Sequence, residues 1–188
     1  IPDLSKKNGL LIIEDQEPWV KQRIGYSYGS YRKDCLMIVN GKSKNTPISS
    51  YNNAQSSPKC FFIPATKSVS FSNITFYRAP NSTHMTFLLV VIRRSNVKIK
   101  NIRTNTVPNE DLIGDRLFLI ENSANISFKN CYINETYSQR RKFGYGIRLE
   151  NVYNVTLYKV ESKTNWGVIC SNNISDIVLK KCKVNRFD

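Results

Sequence analysis

Glu121 and Glu150 are the residues of this 188-residue chain whose type and spacing best suit chemistry. They lie 29 residues apart, and a short pattern recurs around them with the same stride. Stacking equivalent positions of that pattern brings their backbones to about 5 Å, the spacing of neighbouring strands. Repulsion between carboxylates that close favours holding one proton on the pair, which suits general acid and base work on a glycosidic bond. Arg148, two residues before Glu150, would orient a substrate carboxylate or stabilise an enolate in a lyase reaction. The same residues, with Arg116 nearby, also read as a charge-balanced surface with no reaction to perform.

Binding groups flank this pair. The stretch 105–116 carries Glu110, Asp111 and Asp115, and the stretch 134–145 carries Tyr137, Arg140, Arg141, Lys142, Phe143 and Tyr145. Trp166 follows in 163–166. Aromatic faces beside cations suit a sugar ring that bears acidic groups. Tyr145 and Trp166 equally serve as plugs that close a loop over the core. Charge is the second strong signal: 28 Lys and Arg against 14 Asp and Glu give a net charge of +14. Much of the excess sits at Lys98, Lys100, Arg103, Lys129, Lys159, Lys180, Lys181 and Lys183. Stacked, these form a basic stripe for a polyanion such as acidic polysaccharide or lipopolysaccharide phosphate. They also serve to keep a sheet soluble and its edges unpaired. No nucleic-acid motif accompanies the charge, so nucleic acid is disfavoured as the partner.

The elements that position these groups are five copies of one pattern. Val69-Ser-Phe-Ser-Asn-Ile-Thr-Phe76, Val97-Lys-Ile-Lys-Asn-Ile-Arg-Thr104, Ile126-Ser-Phe-Lys-Asn-Cys-Tyr-Ile133, Val155-Thr-Leu-Tyr-Lys-Val-Glu-Ser162 and Ile177-Val-Leu-Lys-Lys-Cys-Lys-Val184 start 28, 29, 29 and 22 residues apart. Positions one, three and six are apolar, as in a strand with one buried face. A period of this length marks a stacked repeat, each unit closing its core against its neighbours. Another strand is expected eight residues upstream of each copy, aligned as Phe61–Ile63, Leu89–Val91, Phe118–Ile120, Ile147–Leu149 and Ile169–Ser171. That alignment puts Phe62, Pro64, Val90, Ile92, Leu119, Glu121, Arg148, Glu150, Cys170 and Asn172 on its outward face. Asn122, Asn151 and Asn173 form one column, and Asn73, Asn101 and Asn130 another. Asn tolerates left-handed backbone and bonds to its own kind, which suits a repeated bend. No unit contains an amphipathic helix.

On the coil phase, the Asn columns and the stacked Phe and Ile positions, residues 58–188 resemble the right-handed parallel β-helix of the pectate-lyase-like superfamily, which includes polysaccharide lyases, polygalacturonases and phage tailspikes. The resemblance implies an all-β solenoid of about five regular coils, with any groove beside the first strand and the variable loops. It also implies a secreted, cell-surface or virion-associated setting. The catalytic signatures of pectate lyases and polygalacturonases are absent from the chain, so no activity is carried over.

Residues 1–57 depart from the pattern and are expected to form irregular early coils that cap the N-terminal end. Leu10–Ile13 and Cys35–Val39 are strand candidates, and Trp19 with its neighbouring tyrosines reads as cap packing. The polar stretch 46–58 is the best boundary. The chain starts at Ile1, and its last residues enter a sixth coil without a polar cap, so further chain or another subunit is expected to cover that end. No apolar stretch reaches the length of a membrane span. Five cysteines make no disulfide framework, because Cys131 and Cys182 share an inward column two coils, about 10 Å, apart. No spacing suggests a metal, and no cofactor is implied. His84, the single histidine, lacks a partnered Ser or Cys. The sequons at Asn73, Asn81, Asn125, Asn134, Asn154 and Asn173 are largely by-products of the repeat.

Two functions follow. One is a non-catalytic β-helix module of a larger surface or virion assembly, tailspike-like or adhesin-like, that binds acidic glycan or provides a rigid shaft. The other is a polysaccharide lyase or glycoside hydrolase acting at Glu121, Arg148 and Glu150.

Overall fold

A computed structural model describes residues 3–20, 30–47, 58–77, 90–105, 116–134, 145–163 and 166–184. Among these residues the regular structure is strand throughout: β1 (Gly9–Val20), β2 (Ser30–Val39), β3 (Lys42–Ser43), β4 (Lys59–Pro64), β5 (Val69–Ser72), β6 (Thr75–Tyr77), β7 (Val90–Ile92), β8 (Val97–Lys100), β9 (Arg103–Asn105), β10 (Arg116–Asn134), β11 (Tyr145–Ser162), β12 (Trp166–Lys180) and β13 (Lys183–Val184). No helix among them is long and apolar enough to cross a membrane.

Strands β5 to β13 make one parallel, curled sheet of nine strands. Its register joins equivalent positions of successive repeats. Phe71 pairs with Ile99, Ile99 with Phe128, Phe128 with Leu157 and Leu157 with Leu179, so these residues form one file. The apolar positions of the pattern point to a common core. Val97, Ile126, Val155, Phe128, Leu157, Ile147 and Leu149 are all buried within it. Phe118, from the first arm of β10, meets Phe128, from its second arm, edge-on at 5.5 Å. The long strand therefore folds over, and its two arms face each other. At the ends of the sheet the file opens: Phe71 is 47% and Leu179 36% exposed.

Left-handed residues make the folds. Asn73, Asn96, Asn101, Asn122, Asn125, Asn130, Asn151 and Asn154 all have φ between +51° and +60°. Each column is tied by side-chain amides. Asn101 Nδ2 donates to Asn73 Oδ1 at 2.8 Å, Asn125 to Asn96 at 2.9 Å, Asn154 to Asn125 at 2.8 Å, and Asn151 to Asn122 at 3.0 Å. Asn is the side chain that accepts this backbone at least cost and bonds along the stack. The column of Asn96, Asn125 and Asn154 joins the two expected from the sequence.

The first-strand alignment needs correction. Val90 pairs with Phe118 and Val168 with Ile147, one residue away from the expected partners in each case. Seven residues separate Val90 from Val97, eight separate Phe118 from Ile126 and Ile147 from Val155, and nine separate Val168 from Ile177. The bend between the arms absorbs the difference, with a register shift after Glu150, because burying the apolar side chains fixes each arm separately. Ile92 and Cys170, expected to face outward, instead belong to or pack against the core.

The N-terminal strands also differ from the expectation of irregular coils. β1 pairs antiparallel with β2 and with β4, and β3 completes a four-stranded sheet. Among the described residues Phe61–Ile63 thus pairs with Leu10–Ile12 and with none of the repeats. Both faces of this sheet are apolar, which explains why its strands read as continuous hydrophobic runs. One face packs Leu10, Ile12, Cys35, Met37 and Ile63 against Ala124 and Tyr153 at the bend between the arms. The other gathers Leu11, Leu36, Ile38 and Phe62 under Leu4. A two-residue loop, Asn40-Gly41 with φ of +49° and +76°, links β2 to β3. Both residues are left-handed, as a hairpin of this length requires. Residues 106–115, 135–144 and 164–165, which connect successive parallel strands, lie outside the described set.

Candidate functional site

On the outer surface of the first arm, Glu121 pairs in register with Glu150. Alternation puts both side chains opposite the buried Ile120 and Leu149. Each carboxylate meets a guanidinium. Arg93 Nε donates to Glu121 Oε1, and Arg148 Nε forms an ion pair with Glu150 Oε1 that lacks hydrogen-bond alignment. The carboxylates are 17% exposed and Arg93 is 70% exposed. The result is a quartet of two adjacent acids flanked by two cations, in which carboxylate repulsion is offset by the neighbouring guanidinium groups. Arg93 was missed in the sequence, although it stands one repeat before Glu121.

The second arm carries the basic stripe. Lys100 pairs with Lys129, Lys129 with Tyr158 and Tyr158 with Lys180, so the three lysines occupy one outward column with a tyrosine among them. Lys98 lies in the adjacent outward column, in register with Ser127 and Thr156. Beyond the bend, Arg103, Tyr132, Glu161 and Lys183 make a further column. Lys159 and Lys181 occupy the bend itself, at φ of +52° and +55°. These columns hold eight cations and one acid, Glu161.

Two tyrosines organise the cations. Lys159 Nζ lies 5.5 Å and Lys129 Nζ 5.8 Å from the centre of the Tyr158 ring. Lys163 Nζ lies 5.5 Å from that of Tyr132. Such contacts attract an ammonium to the ring face and restrict a flexible chain. Lys163 is held above the ordinary lysine range, first by its hydrogen bond with Tyr132 and then by the nearby charges of Tyr132 and Glu161. Stacked at about 4.8 Å per strand, the face presents closely spaced positive charge with little counter-charge of its own.

Of the other sequence candidates, Tyr145 pairs in register with Trp166, and Arg116 with Tyr145, at the start of the first arm. Tyr137, Arg140, Arg141 and Lys142 lie outside the described residues. Burial keeps the cysteine thiols protonated: it pushes Cys35 up to about 12 and Cys170 up to about 11, and it raises Cys131 as well. Among the described residues no group of three His, Cys, Asp or Glu side chains could hold a metal ion. No protein-family model, curated protein or solved structure matches the chain.

Proposed function

We propose that this chain is a non-catalytic binding module, a right-handed parallel β-helix that holds an acidic polysaccharide along its second arm within a larger surface or virion assembly. The observation that carries this reading is the column Lys100, Lys129, Tyr158 and Lys180, in register across four repeats with cations set over the tyrosine. Repeated charge at strand spacing suits a polymer that repeats its own charge, and Lys point charges hold anions without demanding one geometry. The right-handed crossover is the ordinary hand for parallel strands. The apolar files and asparagine columns support a rigid shaft with that face as its binding strip.

The second reading, a polysaccharide lyase or glycoside hydrolase, draws on the register of Glu121 with Glu150. It has less support, because each carboxylate is matched by Arg93 or Arg148. Incubation with polygalacturonate and with heparin decides between them. Salt-sensitive binding without unsaturated or reducing-end product, weakened in Lys100→Ala/Lys129→Ala/Lys180→Ala, is the expected result. Turnover lost in Glu121→Gln would establish the enzyme instead.

A further inference from the structure

The bend after the second arm is left-handed in all five repeats: Asn73, Asn101, Asn130, Lys159 and Lys181 have φ of +58°, +53°, +53°, +52° and +55°. Three repeats use asparagine there, joined by side-chain hydrogen bonds that Asn101 donates to Asn73 and Asn130 donates to Asn101, at 2.8 and 3.3 Å. The last two use lysine, which ends the asparagine column and puts a less tolerant side chain into left-handed backbone. A sequence that gives up local stability at one position does so most often where a side chain is needed for function. Here the exchange falls where the cations converge. Lys159 Nζ stands over Tyr158, which also holds Lys129 Nζ, while Lys180 pairs with Tyr158 and Lys181 follows it into the bend.

We infer that Lys159 and Lys181 replace bend asparagines to build an anion subsite around Tyr158, with Lys129 and Lys180, for the carboxylate or sulfate of an acidic sugar unit. This rests on the polysaccharide-binding reading above and narrows it: affinity is concentrated around Tyr158 on the last three repeats and not spread evenly along the stripe. The ring holds two ammonium groups before the ligand arrives, which reduces the ordering cost of binding. The Tyr158 hydroxyl adds a hydrogen-bond donor on the same side chain.

The test exploits opposite signs. In the full chain, Lys159→Asn and Lys181→Asn restore the residue the bend prefers, so each is expected to raise Tm by about 2–4 °C. The pair together is expected to weaken binding to heparin or to polygalacturonate about tenfold or more. The slope of log affinity against log salt should fall by roughly one unit for each lysine, as contacts that release counterions are removed. Loss with polygalacturonate identifies the anion as carboxylate, and loss with heparin alone identifies it as sulfate, since both polymers carry carboxylates. Lys6→Asn is the control, since Lys6 also sits at positive φ, +57°, but in the N-terminal turn. It should raise Tm and leave binding unchanged. Wild-type affinity in Lys159→Asn/Lys181→Asn, with affinity lost in Lys98→Asn/Lys100→Asn, would overturn the subsite and leave the wider reading standing. No salt-sensitive binding by the unaltered chain to either polymer would remove the wider reading itself.

Discussion

Phe118 meets Phe128 edge-on, ring centroids 5.5 Å apart and planes at 90°, although both belong to one strand. The contact exists because Asn122 and Asn125, at φ of +51° and +58°, fold that strand between them. Packing across the fold, more than the strand pairing alone, excludes water from the file of Phe128 and Leu157.

Truncation in that file should therefore be severe. Leu157 is fully buried between Phe128 and Leu179, and Leu157→Ala is expected to cost about 2–5 kcal/mol, for lost transfer energy and the cavity left behind. Leu179, at the open end, is 36% exposed, and Leu179→Ala should cost less than half as much. Denaturant melts of the two variants check the order, and equal losses would mean the file is not a single interior.

The asparagine columns make a separate prediction about backbone. Asn125 accepts from Asn154 and donates to Asn96, with φ of +58°. Asn125→Ala loses both bonds and adds the left-handed penalty, for about 2–3 kcal/mol in total. Asn125→Gly loses the bonds but keeps the conformation and should be milder by about 1 kcal/mol. Identical melting of the two variants would argue against a left-handed bend.

Alkaline pH should weaken the fold through the buried thiols. Cys35 titrates near 9 when exposed and near 12 when folded, so the folded chain keeps its proton longer. The stability this gives is complete below pH 9 and is lost as pH rises from 9 through about 12, where only the unfolded thiol has ionised. Cys170 adds a narrower window, from 9 to about 11. Cys35→Ala should flatten the decline of stability between pH 9 and 12 relative to the parent, measured by urea titration at each pH. An unchanged slope would show that Cys35 does not titrate with unfolding.

The paired glutamates predict unequal losses. Glu121→Gln removes the partner of an arginine that is 70% exposed, so it should cost no more than about 1 kcal/mol. Glu150→Gln removes the negative charge facing Arg148, which is only 24% exposed, and should cost more. Melting temperatures of both variants, read beside polysaccharide turnover, separate a structural role from a catalytic one.

What could be read from the sequence follows from how the two arms differ. Val97, Ile99 and Ile102, and their equivalents, keep fixed spacing from a left-handed residue, so the second arm was legible to the residue. The first arm joins it through a bend of variable length, and no spacing rule places Val90 or Val168. The column of Asn96, Asn125 and Asn154 carried a visible sign, since each directly precedes the first apolar residue of its repeat. The N-terminal sheet hid its period because Leu10 to Ile13 is apolar on both faces, yet Asn40-Gly41 before Lys42 was a hairpin mark in plain view. Glu121 and Glu150 were placed together correctly, whereas the cation that each one faces depended on register.

The antiparallel sheet seated on Ala124 and Tyr153 changes how the molecule should respond to load. Its strands β1 and β2 touch β10, β11 and β12, and the Tyr153 hydroxyl donates to Asp176 of the last long strand. A bare stack of this kind would peel from its ends one layer at a time. With a lateral strap across three layers, tension applied at residue 184 must shear the strap before the stack can unravel, so rupture should come as one event at high force.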